Sequence, residues 1–322
     1  MRLHKSLFLI LLLLVTANSY STENSCQADP THLPENTIST SWWNLKPVLS
    51  SLQYVAYTVA AAKTAIDIRS DLSSFGETLK QESEHFCPKL PENMPEHVAM
   101  IMDGNRRYAK GRSLDQPSYG HFFGAARLLQ VTRIAEKLGI NQLTVYALST
   151  ENLARPEEEI AVLMAIVRSV LEHWEKELVN SSIRVQHLGF RAKLSKEVLQ
   201  AIDSIVEKTR THTGLTLNIA FNYGGQAEFV HAVSRILSQS HPDTKVDYSL
   251  IQQNLLTGGL AGWIDPALVI RTGGRKRLSN FLALQTLYSE LHFTDTLWPD
   301  FTPQQLLEAL NDYSQQQRNF GL

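Results

Sequence analysis

The sequence predicts an α/β fold, a single catalytic-sized domain on a mainly parallel β-sheet flanked by helices and preceded by an N-terminal helical extension. Three observations carry this. From residue 96 onward, short apolar β-rich runs alternate with longer helical ones, and parallel strands need such crossovers between them. The first run, Val98–Met102, is apolar throughout, as in a strand covered on both faces. Polar clusters follow directly after several runs, and open parallel sheets bind ligands at the carboxyl ends of their strands.

Residues 1–19 read as a signal peptide or signal anchor. Arg2 and Lys5 precede the apolar run Leu7–Val15, and Ala17-Asn18-Ser19 offers the small residues a signal peptidase reads. The run is short for a membrane span. An exported or membrane-associated protein is therefore expected, with a cytoplasmic one as the alternative. Residues 20–95 read as a linker and helical extension: Thr22–Trp43 is polar with Pro30 and Pro34, Tyr54–Lys80 is an amphipathic helix, and Pro88, Pro91 and Pro95 mark its end. Cys26 and Cys87, the two cysteines, could pair in an oxidising compartment or stand as isolated thiols.

The domain proper spans 96–322. Strands are expected at Val98–Met102, Leu143–Leu148, Arg184–Leu188, Leu215–Ala220 and Leu268–Ile270, and helices at Gly124–Lys137, Glu157–Val179, Leu194–Thr211 and Ala227–Gln239. With 322 residues, 43% hydrophobic and a net charge of -2, the chain can build a proper core. Near-neutrality argues against general nucleic-acid binding, so any basic site must be local. Neither CxxC nor HExxH occurs, which argues against a structural zinc site or a zincin centre.

Three clusters carry chemistry. In HVAMIMDGNRRYAK (97–110) a strand stops at Asp103, Gly104, Asn105, Arg106 and Arg107. Such a junction suits an anion, with arginines adding charge-assisted hydrogen bonds. Asp103 would repel a phosphate unless a divalent cation stood between them, so it reads as a Mg2+ ligand in a diphosphate site; a capped helix start with solvated arginines is the plainer reading. In STENLARP (149–156), Ser149, Thr150, Glu151, Asn152 and Arg155 crowd a strand-to-helix turn, either as a site or as helix caps. In RTGGRKRLSN (271–280), two glycines free the backbone while Arg271, Arg275, Lys276, Arg277 and Ser279 supply donors, a second phosphate cradle or a solvated loop. Glu290 lies among apolar residues as a metal ligand or ion-pair partner.

Together these segments resemble the cis-prenyltransferases, the family of undecaprenyl and dehydrodolichyl diphosphate synthases. The resemblance runs from His97 to the carboxyl terminus through MDGNRRYAK, STEN with its following RP, LNIAFNYGG (217–225), LVIRTGG, RLSNFL and TDTLWPDF in family order. It implies an undecaprenyl diphosphate synthase-like fold and Mg2+-dependent condensation of isopentenyl diphosphate with an allylic diphosphate such as farnesyl diphosphate, giving a Z-polyprenyl diphosphate. Asp103 would bind Mg2+ and promote loss of the allylic diphosphate. Gly104, Asn105, Arg106 and Arg107 would hold that group, with Tyr108 and His121 nearby. Ser149, Thr150, Glu151 and Arg155 would contact substrate, and Asn152 is the position sometimes assigned to proton removal. Arg271, Arg277, Leu278 and Ser279 would grip isopentenyl diphosphate, and Glu290 would add a second metal contact across a homodimer. The product tail would occupy an apolar tunnel, with Ala147, Leu163 and Ile166 as lining residues.

Several positions depart from the family pattern. Pro117 stands where many members carry an arginine, with Arg112 as a substitute. Arg275 replaces an acid, and Leu153 an aromatic residue. No adjacent aspartates occur, which excludes a trans-type prenyl synthase built on DDxxD motifs. The competing reading is a noncatalytic accessory subunit of the same fold; retention of Asp103, Asn152, Arg271, Arg277 and Glu290 weighs against it, because a scaffold needs none of them.

Overall fold

The computed structural model describes residues 64–114, 116–154, 157–239, 241 and 243–316. The expected signal segment, the polar linker, the start of the Tyr54–Lys80 helix, Cys26 and hence its pairing with Cys87 lie outside them. The described chain begins with α1 (Thr64–Glu84), then runs β1 (His97–Ile101), α2 (Asn105–Gly111), α3 (Gly120–Lys137), β2 (Gln142–Ser149), α4 (Glu157–Leu178), β3 (Arg184–Leu188) and α5 (Lys196–Lys208). It continues through β4 (Thr216–Tyr223), α6 (Gly225–Gln239), α7 (Tyr248–Asn254), β5 (Leu268–Arg271), β6 (Glu290–Phe293) and α8 (Pro303–Ser314).

All six strands pair in parallel, in the order β3-β4-β2-β1-β5-β6. All five expected strands are present. β6 is an addition: ELHF is short and only partly buried at the sheet edge, so its sequence lacks the continuous apolar run that marks β1. α3 starts at Gly120, earlier than the expected Gly124. α7 and α8 were not anticipated, although Asp247 and Thr302 cap them and Thr302 with Gln305 forms a full capping box.

Strand residues alternate between two cores, as a period of two requires. Val98, Met100, Val145, Leu217 and Ile270 face one cluster, shared with α1, α3, α4, α5 and α8. Ala99, Ile101, Ala220 and Val269 face the other. Leu72, Phe75 and Leu79 of α1 belong to the first cluster, so the extension shares the core of the sheet. On the second face a buried polar ladder crosses four strands. His97 meets Thr144 Oγ1 at 2.7 Å, Asn218 donates to Thr144 at 3.1 Å, and Gln186 donates to Asn218 at 3.2 Å. Gln186 also donates to the Ala261 carbonyl, and His97 Nδ1 meets that of Ile264, which straps the 261–264 loop over this face.

Candidate active site

The polar groups come from adjacent strand exits. Ile101 is in register with Tyr146 and with Arg271, so β1, β2 and β5 release their chains at one level. After β1, Gly104 turns at φ 122, and a Cβ there would lie 2.9 Å from the Leu297 Cα. Only glycine satisfies both the conformation and the contact. Asp103 is thereby placed between two guanidinium groups: its Oδ1 accepts from Arg107 Nη2 and its Oδ2 from Arg271 Nη2, each at 3.0 Å. Arg271 is 5% exposed at its side chain and also donates to Ser279 Oγ at 2.7 Å and to the Arg277 carbonyl. Its Nε has no partner, nor does Asn105 Oδ1. The unpaired Arg271 Nε is a donor left for a ligand, whereas Asn105 Oδ1 packs against Gly124.

The RTGGRKRLSN loop folds back because Gly273 and Gly274 donate to the Thr296 and Thr294 carbonyls at 2.7 and 2.9 Å. Ser279 and Asn280 both adopt left-handed backbone, φ 51 and φ 65, a strained pairing of the kind that gathers at functional sites. The turn brings Ser279 Oγ to Arg271 and sends the Asn280 amide to Glu151 at 2.6 Å. Ser149 and Asn152 lock the exit of β2, since Asn152 N–H donates to Ser149 Oγ at 3.2 Å and Ser149 N–H to Asn152 Oδ1 at 3.4 Å. Burial pushes the Glu151 carboxyl up, but hydrogen bonds from its own backbone N–H, Asn280, Ser149 and Thr150 outweigh this and hold it below its ordinary range.

Asp103, Gly104, Asn105, Arg106, Arg107, His121, Ser149, Asn152, Arg271, Arg277 and Ser279 line one cavity of about 580 Å³, the size of small-ligand sites. Thr150, Glu151 and Leu278 are not in its wall: Thr150 donates to Glu151, Glu151 braces Asn280, and Leu278 packs on the second core. Arg155 lies outside the described residues.

Tyr108 sits elsewhere. The turn of α2 directs it inward against Phe75 and Phe123, with the Arg112 guanidinium 4.6 Å from its ring centre. Glu290 opens β6 and is paired with Leu268, itself paired with Val98. Val98 lies five residues before Asp103, about 16 Å along the strand direction at ~3.3 Å per residue. Within one chain, Glu290 is therefore not part of the Asp103 cluster.

Beyond the charged mouth the cavity becomes apolar. Leu163, Ile166, Val167, Val170, Leu171 and Trp174 of α4 line it, as do Ile202 and Ile205 of α5. Ala147 also lines it for a local reason: register jumps from Tyr146↔Ala220 to Leu148↔Phe221, leaving Ala147 as a bulge residue turned into the space. His187 is in the wall too, its Nε2 3.0 Å from the Phe221 carbonyl, and burial lowers its pKa. The α5 residues and Trp298 were missed by sequence reasoning. The apolar spacing of α5 signals a buried face, but not that a cavity lies against it.

Among the described residues no group of three or more His, Cys, Asp or Glu side chains converges as a metal cage. Asp103 is the carboxylate of the cavity wall. Among the described residues one carboxylate in this wall, beside arginines, suits Mg2+, which keeps waters and shares substrate phosphates in place of a full protein cage.

This arrangement, an acid and arginines at the mouth of an apolar tunnel, agrees with the comparisons to known proteins. The undecaprenyl diphosphate synthase family model matches residues 101–321. An isoprenyl transferase of Streptococcus thermophilus is 43% identical over 236 residues, covering 71% of this chain and 94% of that protein. One from Streptococcus pyogenes is 41% identical over 239 residues, 72% of this chain and 95% of that protein. Among solved structures, lavandulyl diphosphate synthase from Lavandula x intermedia in complex with dimethylallyl diphosphate superposes with a TM-score of 0.67 at 34% identity, covering 71% of this chain and 99% of that one. A probable undecaprenyl diphosphate synthase from Campylobacter jejuni gives 0.60 at 27% identity, covering 71% of this chain and 100% of that one. The chain belongs to the undecaprenyl diphosphate synthase family of cis-prenyltransferases.

Proposed function

We propose that this prenyltransferase joins isopentenyl diphosphate to an allylic diphosphate, with farnesyl diphosphate as primer, and lengthens it into a Z-polyprenyl diphosphate. The observation that carries the reading is the continuity of one cavity, charged at the strand exits and apolar along α4. A prenyl diphosphate has that same division between head and tail. The allylic diphosphate bound by the lavender relative belongs to the same chemical class.

In the reaction the allylic C–O bond breaks, the alkene of isopentenyl diphosphate supplies the electrons for the new C–C bond, and a proton leaves to form the Z double bond. Diphosphate and that proton are released. Arg106 and Arg107 would donate to the departing group, and Arg271, Arg277 and Ser279 would hold isopentenyl diphosphate, with the open Arg271 Nε as one donor. Asp103 would hold Mg2+, which when bound neutralises charge growing on the leaving diphosphate. Asn152, locked to Ser149 in the cavity wall, would take part in removing the proton from the attacking alkene. The tail would enter the tunnel past Ala147.

A homodimer and membrane association complete the proposal. Leu287, Tyr288 and Leu291 at the edge strand are 64%, 70% and 47% exposed, an apolar edge that suits a second copy, and Glu290 lies beside it. The amino-terminal signal-like segment supports export or anchoring. Among the described residues no helix is long and apolar enough to cross a membrane. Fractionation with amino-terminal sequencing tests the location: a mature chain beginning near Tyr20, or a membrane-held one, fits, and a soluble cytoplasmic chain retaining Met1 does not.

Activity is tested by incubating the full chain with farnesyl diphosphate, labelled isopentenyl diphosphate and Mg2+, with a chelator control. Labelled Z-polyprenyl product that disappears with chelator is expected. A folded chain that makes none would favour the accessory-subunit reading.

A further inference from the structure

We infer that Arg127 is a positioning residue for the Asp103 turn and that α1, which precedes the residues the family model matches, makes it one. The inference rests on the proposed prenyl transfer.

Arg127 of α3 is 1% exposed. A guanidinium taken that far from water is tolerated only with its donors and charge satisfied. The carboxylate that pairs with it comes from α1: Glu82 Oε1 accepts from Nη2 at 3.2 Å and Oε2 from Nη1. Nη1 also donates to Gln130 Oε1 at 2.6 Å, and Gln130 in turn donates to the Leu79 carbonyl and Ser83 Oγ of α1 at 2.7 and 2.9 Å. This leaves Nε, which donates to the Pro299 carbonyl at 2.9 Å.

Pro299 belongs to the turn Trp298–Asp300, and that turn holds the Asp103–Gly104 peptide. Trp298 N–H donates to the Asp103 carbonyl at 3.0 Å, and Trp298 Nε1 donates to the Gly124 carbonyl at 2.8 Å. Leu297 closes on the Gly104 Cα side. Glu82, Arg127, Pro299, Trp298 and Asp103 thus form an unbroken series of hydrogen bonds and one peptide link from α1 to the mouth. A second contact runs parallel, since Phe75 of α1 packs on Tyr108 of α2, the helix that carries Arg106 and Arg107.

The forked geometry matters because one side chain must reach Glu82 and Pro299 together, in different directions. Lysine keeps the charge and loses the fork. The β5 loop touches the same turn through Thr272 Oγ1, which donates to the Asp103 carbonyl at 2.8 Å, and through Arg271. Its own hold on Ser279 and on the Thr294 and Thr296 carbonyls does not pass through Arg127, so a shift of the turn falls first on the ligand bound by Asp103 and α2.

The test measures binding of farnesyl thiodiphosphate, an unreactive allylic analogue, and separately of isopentenyl diphosphate, by calorimetry on the full chain with Mg2+, together with kcat. Arg127→Lys is expected to weaken the analogue about tenfold and lower kcat by a similar factor, with isopentenyl diphosphate affinity within about twofold and stoichiometry near one. Loss of folded protein would lower stoichiometry and leave both affinities alone. Glu82→Gln, which keeps the side-chain shape and removes the counter-charge, is the second variant and is expected to act in the same direction. If both variants bind both ligands as the unmodified chain does, or lose both equally, the inference is wrong. An unmodified chain that binds neither ligand overturns the proposed reaction and this inference with it.

Discussion

The mouth and the tunnel are parts of one cavity held by opposite means. At the mouth, position comes from hydrogen bonds between charged groups: Asp103 is fixed by Arg107 and Arg271, and Arg271 by Ser279. In the tunnel, position comes from close packing of α4 and α5 against the sheet, with Leu171, Trp174 and Ile205 all buried. In the proposed reaction, charge at the mouth would act on a leaving group that develops charge, whereas the tunnel wall would set how much tail fits. The two regions should therefore fail differently, one in rate and the other in product.

The largest expected effect is at the mouth. Asp103→Ala removes the carboxylate proposed to bridge metal and diphosphate, and turnover should fall on the order of 100-fold or more. Steady-state assay beside circular dichroism checks that the fold survives; near-normal turnover would remove Asp103 from the mechanism.

Acid should act away from the mouth, on buried histidines of the sheet. Burial lowers His97 from 6.5 to about 4, and His187 in the tunnel wall is lowered by the same cause. The folded chain then holds fewer protons than the unfolded one below pH 6.5. The stability these neutral rings carry is complete above pH 6.5 and is lost as pH falls toward 4. For His97 the gap corresponds to ~3 kcal/mol. Urea unfolding at pH 7 and pH 5 reads this directly, and a flat profile would mean that the rings are not held neutral.

The smallest effect belongs to Tyr108, adjacent in sequence to the mouth yet packed away from it. Its hydroxyl has no partner, and burial raises its pKa to about 12. Tyr108→Phe should leave turnover within about twofold and raise stability by ~1 kcal/mol, because an unsatisfied buried hydroxyl costs that order of energy. A large fall in turnover would return the phenol to the site.

These contrasts mark what the sequence carries. β1 was legible because five apolar residues end at an acid and a glycine, and the mouth because its arginines follow strand ends within a few positions. β6 was not, since an edge strand with one covered face lacks a distinctive run. Tyr108 was placed near the mouth by the family resemblance, but here the turn of α2 directs its side chain inward against Phe75 and Phe123. Ala147 was named as a lining residue without the bulge that turns it inward. The burial of Arg127 was out of reach, because its counter-ion lies 45 positions earlier and nothing local signals the pair.

The most direct test compares the product of the unmodified chain with those of Ala147→Leu and Asp103→Ala, made from farnesyl diphosphate and labelled isopentenyl diphosphate and separated by length. Bulk added to a packed apolar wall has little room to relax, so Ala147→Leu should give shorter Z-polyprenyl products at a rate within a few-fold of the unmodified chain. Asp103→Ala should give far less product with the length distribution unchanged. Unaltered lengths from Ala147→Leu, or shortened lengths from Asp103→Ala, would contradict a cavity divided into a reacting mouth and a measuring tunnel.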